Sequence, residues 1–164
     1  MVETDLNIKL DKLPVALNLF THYLLQRNVV ATGAGKSGMV AELAAATLTS
    51  HGLSCTYLAH EALLHGNMPL LKNKTLLYFS KSALLNEFKC ETIFITQNSQ
   101  VDSGIILPAS KELTRIEDCP TQSVIDMLSA IYLVADMSAF LQRWTNELFL
   151  ETHPGGSLGL KSSA

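Results

Sequence analysis

Short runs of consecutive apolar residues restrict this chain's fold more than any other feature. They fall at residues 28–32 (NVVAT), 54–58, 75–80 (TLLYFS), 92–96 (TIFIT) and 104–107. A strand with one face in water alternates apolar and polar residues, whereas a strand buried on both faces reads as a continuous run. Between the runs lie stretches of helical character. Leu13, Leu17, Phe20 and Leu24 recur at helical spacing, with Pro14 tolerable in a first turn, and predict a helix over 10–26. Residues 39–50 are rich in Ala and Leu and end at His51-Gly52, which reads as a helix and its stop. Residues 122–150 read as one long buried helix. Strands alternating with helices predict an α/β fold, a three-layer α-β-α sandwich around a five-stranded parallel sheet.

The 164 residues suffice for one domain with a sizeable core, taken here as 1–164, with sheet and helices over 28–150. Apolar residues make up 48% and charged residues 16%. That balance argues against disorder and fits either a large core or a surface covered by a partner subunit. Net charge is −3 and no run of Lys or Arg occurs, the nearest being Lys72 and Lys74 in one turn. A nucleic-acid-tracking patch is therefore not expected. The acidic start of the chain does not read as a signal peptide. The most apolar stretch, 127–141, is interrupted by Asp136 and reads as unable to span a bilayer. Cys55, Cys90 and Cys119 have no paired spacing and fit a reducing compartment. A cytoplasmic protein without cofactor or metal is the expectation.

Five segments could carry chemistry. The first is Gly33-Ala34-Gly35-Lys36-Ser37-Gly38, between the first strand and a helix. Free N–H groups and a positive dipole end make a helix N-terminus there an anion or sugar-phosphate site, and glycines allow close backbone approach. The letters also fit G-x-G-x-x-G, the dinucleotide fingerprint. The acid expected after the second strand comes only at Glu61, which fits poorly. A P-loop would need glycine at position 30, where Val30 stands. The bland alternative is a tight turn with a solvated lysine.

The other four segments are weaker alone. His65, in Glu61-Ala62-Leu63-Leu64-His65-Gly66-Asn67, stands beside a glycine, where histidines usually serve turns; His51 and His60 read the same way. Ser80-Lys81-Ser82 after the third strand offers hydroxyls to phosphate oxygens, though serine ends many strands. Glu117-Asp118-Cys119-Pro120 precedes Thr121 and Ser123, either of which can cap the helix that follows. His153-Pro154-Gly155-Gly156-Ser157-Leu158-Gly159 is either a flexible tail or an ordered loop. The leucines at 158 and 160 favour the ordered loop over 153–159.

In this order, the five segments resemble the SIS-domain arabinose-5-phosphate isomerases. That family reads G-x-G-K-S-G, E-A-x-H-G-D, S-N-S-G-E, E-A-C-P, P-T-S-S and S-H-P-G-G-A-L-G. The matches cover 33–38, 61–67, 80–82, 117–120 and 152–159. The resemblance implies a five-stranded SIS fold, a homo-oligomer (tetramer or dimer), and conversion of D-ribulose 5-phosphate to D-arabinose 5-phosphate without a metal. By matching position it implies catalytic roles for Lys36, His65, Glu117 and His153. It also implies phosphate or substrate contacts from Gly35, Ser37, Ser80, Ser82, Thr121 and Ser123, and a place in making the lipopolysaccharide sugar Kdo.

The chemistry suits those residue types. Moving a proton between neighbouring carbons through an enediol needs a base tuned near the working pH, and a donor or cation for the developing oxyanion. Lys36 fits the latter; the histidine acting as base stays open.

The chain also departs from the pattern. Ala83 and Leu84 replace the Gly and Glu of S-N-S-G-E, and the helix expected next is cut to a stub. One extra residue separates Glu61 from His65, and Asn67 replaces Asp. The segment between Pro120 and Thr121 is shortened. The family's paired CBS regulatory modules have no counterpart within these residues. A non-catalytic sugar-phosphate sensor is therefore the second reading, and a small nucleotide-binding module the third.

Overall fold

The computed structural model describes residues 7–9, 13–83, 88–116 and 118–162. Six parallel strands form one sheet in the order β1-β6-β5-β4-β2-β3. They are β1 (Asn7–Lys9), β2 (Val29–Gly33), β3 (Cys55–Tyr57), β4 (Thr75–Phe79), β5 (Thr92–Thr96) and β6 (Gly104–Ile106). The five expected strands are all present. The sixth, β1, is a three-residue edge strand on β6, too short to show a periodic pattern.

The continuity of the apolar runs follows from burial on both faces. Along β2, Val29 and Ala31 point to one core and Val30 to the other; along β4, Leu77 and Phe79 oppose Leu76 and Tyr78. Successive strand side chains alternate faces, so both sets must be apolar. The front core packs against three helices, α1 (Leu13–Leu25), α2 (Gly35–Ser50) and α4 (Gln122–Gln142). The back face has a thinner cover. α3 (His60–Ala62) runs into a π turn at Leu63–Asn67 and a 3-10 turn at Met68–Leu71. Leu63, Leu71 and Phe88 bury themselves there against Val30, Leu76, Tyr78 and Phe94.

Several boundaries differ from the sequence expectation. The first helix begins at Leu13, and residues 10–12 lie outside the described residues. α2 starts at Gly35, inside the glycine-rich turn, because Gly38 N–H already donates to Ala34 O at 3.3 Å. The long helix over 122–150 is two helices. Arg143 adopts a left-handed conformation (φ 55°), and Trp144 N–H closes back on Ala139 O. Thr145 then caps α5 (Asn146–Glu151), its hydroxyl accepting from Leu148 N–H. The loop expected over 153–159 turns helical at α6 (Gly156–Ser162).

The apolar stretch expected to be too short and interrupted for a bilayer lies within α4, which has 21 residues, 18 of them in a window of mean hydropathy 1.7. By length and composition α4 could cross a membrane, so that expectation is corrected. Its inner face, with Met127, Ala130, Ile131, Val134 and Ala135, is packed into the front core.

The seat of α2 on the sheet depends on missing side chains. A Cβ on Gly38 would lie 2.5 Å from Gly33 O, a backbone atom that cannot step aside. Gly38→Ala is therefore expected to destabilise the protein by about 1–3 kcal/mol through overpacking. At a free helical position the same change would stabilise by up to about 1 kcal/mol. Urea unfolding of the two proteins measures the sign.

Candidate functional site

Strand order locates the site. From β2 the chain passes outward to β3, then returns to β4 on the other side of β2 and continues to β5 and β6. The crevice between the carboxyl ends of β2 and β4 is thus the switch point, where ligands bind in open α/β sheets. Gly33 and Phe79 are register partners there, so the loops after β2 and β4 leave the sheet side by side. The first carries Gly35, Lys36 and Ser37, and the second Ser80, Lys81 and Ser82.

At the start of α2, Ala34 caps the helix with no side-chain hydrogen bond. The first-turn N–H groups keep their capacity to donate to a ligand. Gly35 has φ +56°, a conformation costly for other residues, and is exposed. The Ser37 hydroxyl has no hydrogen bond among the described residues. Lys36 reaches across to the segment before α4, its Nζ 3.1 Å from Cys119 Sγ and 3.3 Å from Pro120 O. The lysine thereby meets the 117–120 motif in space; Glu117 itself lies outside the described residues.

The loop after β4 is pinned from β5. Thr96 Oγ1–H and Gln97 N–H donate to Lys81 O, and Asn98 Nδ2 donates to Ser82 O. Ser80 Oγ accepts from Ala83 N–H at 3.0 Å, and Ala83 sits at φ +45°. A position occupied by glycine in the resembling pattern keeps a glycine-type backbone here.

Lys81, which the sequence marks only as the residue between two serines, makes a strong contact. Its Nζ donates to Glu112 Oε1 at 2.6 Å. Glu112, whose side chain is 2% exposed, also accepts from Thr121 N–H at 2.6 Å, Thr121 Oγ1–H, Ser123 N–H and Ser123 Oγ–H at 2.8 Å. Sequence reasoning missed Glu112, because nothing local marks a lone acid nine to eleven residues before its partners. The Lys81 ammonium holds its carboxyl well below the usual carboxylate range, against burial that pushes it up; donors from Thr121 and Ser123 add to the lowering. Thr121 and Ser123 are thus at the site but are committed to Glu112. A cavity of about 310 Å³ opens beside them, lined by Lys81, Ser110, Lys111 and Glu112, within the range of small-ligand sites.

The two candidate histidines stand apart. His65 is exposed on the π turn of the back-face segment, with non-helical φ −111°, followed by Gly66 at φ +115°. A kink at His65 and Gly66 breaks the helical path there, in the stretch that carries the extra residue between Glu61 and His65. His153 stacks on Phe149 at 4.1 Å, and its Nδ1 lies 2.7 Å from Phe149 O. It lines a different cavity with Glu42, Thr49 and Tyr57, beside the middle and far turns of α2. Neither contacts Lys36, Ser37, Ser80 or Ser82 among the described residues. None of the described His, Cys, Asp or Glu side chains cluster in a way that could hold a metal ion.

Two outcomes follow from these contacts. Ala83→Gly should raise stability by about 1 kcal/mol, since the left-handed conformation penalises a Cβ; thermal unfolding checks it. The depressed Glu112 pKa adds stability above its unfolded value of about 4.5, lost as pH falls towards the folded value. The melting temperature of the wild type should therefore fall more steeply below pH 4.5 than that of Glu112→Gln. At pH 7 the variant should be less stable by about 2 kcal/mol.

No protein-family profile matches the chain. An uncharacterized protein of Rickettsia prowazekii is 25% identical over 91% of the chain, which spans about half (52%) of that protein's length. Solved structures are similar over most of the chain. The Escherichia coli CFT073 protein c3406, solved in complex with a sugar phosphate, superposes with a TM-score of 0.74 at 23% identity, covering 83% of this chain and 82% of that one. A Listeria monocytogenes protein provisionally assigned as a sugar-phosphate isomerase gives 0.75 at 20% identity, covering 85% and 83%. Escherichia coli tagatose-6-phosphate ketose/aldose isomerase gives 0.58 at 22% identity, covering 89% of this chain and 49% of that one. The chain accordingly has the SIS-type α/β fold, a parallel sheet flanked by helices, that these structures share.

Proposed function

We propose that the chain is a sugar-phosphate isomerase domain that interconverts D-ribulose 5-phosphate and D-arabinose 5-phosphate through an enediol. One observation carries the reading. At the switch point, the uncapped start of α2 and the serine-bearing loop after β4 leave the sheet side by side, and Lys36 reaches Cys119 and Pro120. The similar fold of a protein solved with a sugar phosphate bound supports the same ligand class.

In this reading the phosphate sits on the first-turn N–H groups of α2, with the hydroxyls of Ser37, Ser80 and Ser82. Its binding energy positions the sugar. Lys36 supplies positive charge to the developing oxyanion, and Glu117 takes the catalytic role that the resemblance implies. Thr121 and Ser123 act at one remove, holding Glu112 and through it Lys81.

His65 lies on the back-face segment and His153 lines a cavity beside the middle and far turns of α2, so in this reading a proton relay through either calls for a second copy. The surface offers a seat for one. Val15 and Leu19 of α1, Met39 of α2, and Tyr132 and Phe140 of α4 are all more than half exposed, an unusual run of large apolar residues on one helical layer. A cytoplasmic homodimer or homotetramer is the assembly proposed.

The departures at Ala83 and Leu84 favour a second reading, a sensor that binds the same sugar phosphate without turnover. Incubation with D-ribulose 5-phosphate, followed by chromatography of arabinose 5-phosphate, separates the two. Turnover is expected, with Lys36→Ala lowering kcat about 100-fold or more and His153→Ala abolishing it. Heat stabilisation by the sugar phosphate without turnover would establish the sensor instead.

A further inference from the structure

A larger cavity, of about 610 Å³, lies at the opposite end of the sheet. The turns that enter β2, β4 and β5 form it, so the length of a five-residue strand, about 16 Å, separates it from the crevice. Arg27, Lys72, Lys74 and Lys89 line it. These are four of the twelve Lys and Arg residues of a chain whose net charge is −3. Cations gathered in a concave, low-dielectric site focus their field on whatever enters.

One acid, Glu91, faces the four cations and is already satisfied. It accepts from Tyr23 and Thr75 and pairs with Arg27 Nε at 3.3 Å. The Arg27 guanidinium also lies 3.3 Å from the centre of the Tyr23 ring. Arg27 and Glu91 thus cancel within a rigid group at the floor. Lys72, Lys74 and Lys89 make no side-chain hydrogen bond or ion pair among the described residues. Lys74 is partly buried, and its ammonium reaches the cavity mouth with no partner among the described residues. Asn73 between the two lysines is held at φ +60°, which fixes the turn that presents them. Met68 and Leu71 supply an apolar wall, and Leu71 is 4% exposed.

We propose that this cavity binds a nucleoside diphosphate, or a metabolite of the same size and charge, as a second ligand site distinct from the crevice. Three ammonium groups from two turns, unpaired among the described residues, match a diphosphate, whose charge is too concentrated for one lysine. The volume exceeds what bare pyrophosphate fills, and the apolar wall suits a base or ring. A single concave site on an acidic chain distinguishes this from a nucleic-acid surface, which tracks phosphates along an extended basic face.

The test is calorimetric titration of the full chain with ADP, without added metal, beside inorganic pyrophosphate and arabinose 5-phosphate. ADP should bind saturably and more tightly than pyrophosphate, weaken as salt rises from about 50 to about 300 mM, and be undisplaced by arabinose 5-phosphate. Lys72→Gln/Lys74→Gln/Lys89→Gln should weaken ADP binding at least about tenfold, one charge-assisted contact or more. Ser37→Ala/Ser80→Ala should leave it unchanged. Should the triple variant fail to fold by circular dichroism, Lys89→Gln alone, at an exposed position, should still weaken it about threefold or more. Absence of saturable ADP binding, binding indifferent to the lysine substitutions, or loss of ADP binding in the serine variant would overturn the proposal. Pyrophosphate binding as tightly as ADP would overturn its nucleoside half. None of these results depends on isomerase turnover.

Discussion

The carboxyl end of β2 and the first turn of α2 touch backbone to backbone, and the site is arranged around that contact. Gly33 has Phe79 O and the Ser37 backbone within 2.9 Å of where a Cβ would be, and Gly38 has Gly33 O at 2.5 Å. A strand, its neighbour and a helix converge closer than side chains allow. The convergence aims the uncapped N–H groups of α2 into the crevice and sets the loops after β2 and β4 shoulder to shoulder. Lys36 then crosses to Cys119 and Pro120, so the segment before α4 takes its place from α2.

A second hub, Glu112, ties the other half of the crevice. Its two carboxylate oxygens accept from Lys81, Thr121 and Ser123. A buried carboxylate is costly unless every lone pair is used. Here the start of α4 and the loop after β4 supply the donors, and the helix dipole favours the charge. The positions of Lys81 and of α4 are therefore coupled. A residue with no motif of its own sets the distance between two segments that do have motifs.

Much of the fold was legible because its signals are local. Two-sided burial of residues 29–33, 75–79 and 92–96 shows as unbroken apolar runs, and the glycine-rich turn marks the start of α2. Features that depend on distant partners were not legible. The break at Arg143 arises where Trp144 packs over the turn at Gly52, a contact between residues about ninety positions apart. β1 is too short for periodicity and exists because β6 offers it an edge. At the site, the matching segments identified the loops, yet which side chains meet could not be read. Thr121 and Ser123 turn to Glu112, while His65 sits at the kink after α3 and His153 stacks on Phe149. The extra residue before His65 was visible as a mismatch, whereas the kink at His65 and Gly66 needed the backbone.

The unequal covering of the sheet has a consequence for how the molecule breathes. Among the described residues the front carries three helices of 13, 16 and 21 residues, while the back relies on short turns between His60 and Leu71, with Phe88 beside them. Few buried apolar contacts mean a small free energy of local opening. Backbone amides of that segment should exchange with solvent long before those of α2 or β4, exposing Val30, Leu76 and Tyr78 from behind while the crevice in front keeps its shape. The protein thus has one rigid side and one yielding side, with His65 carried on the yielding one.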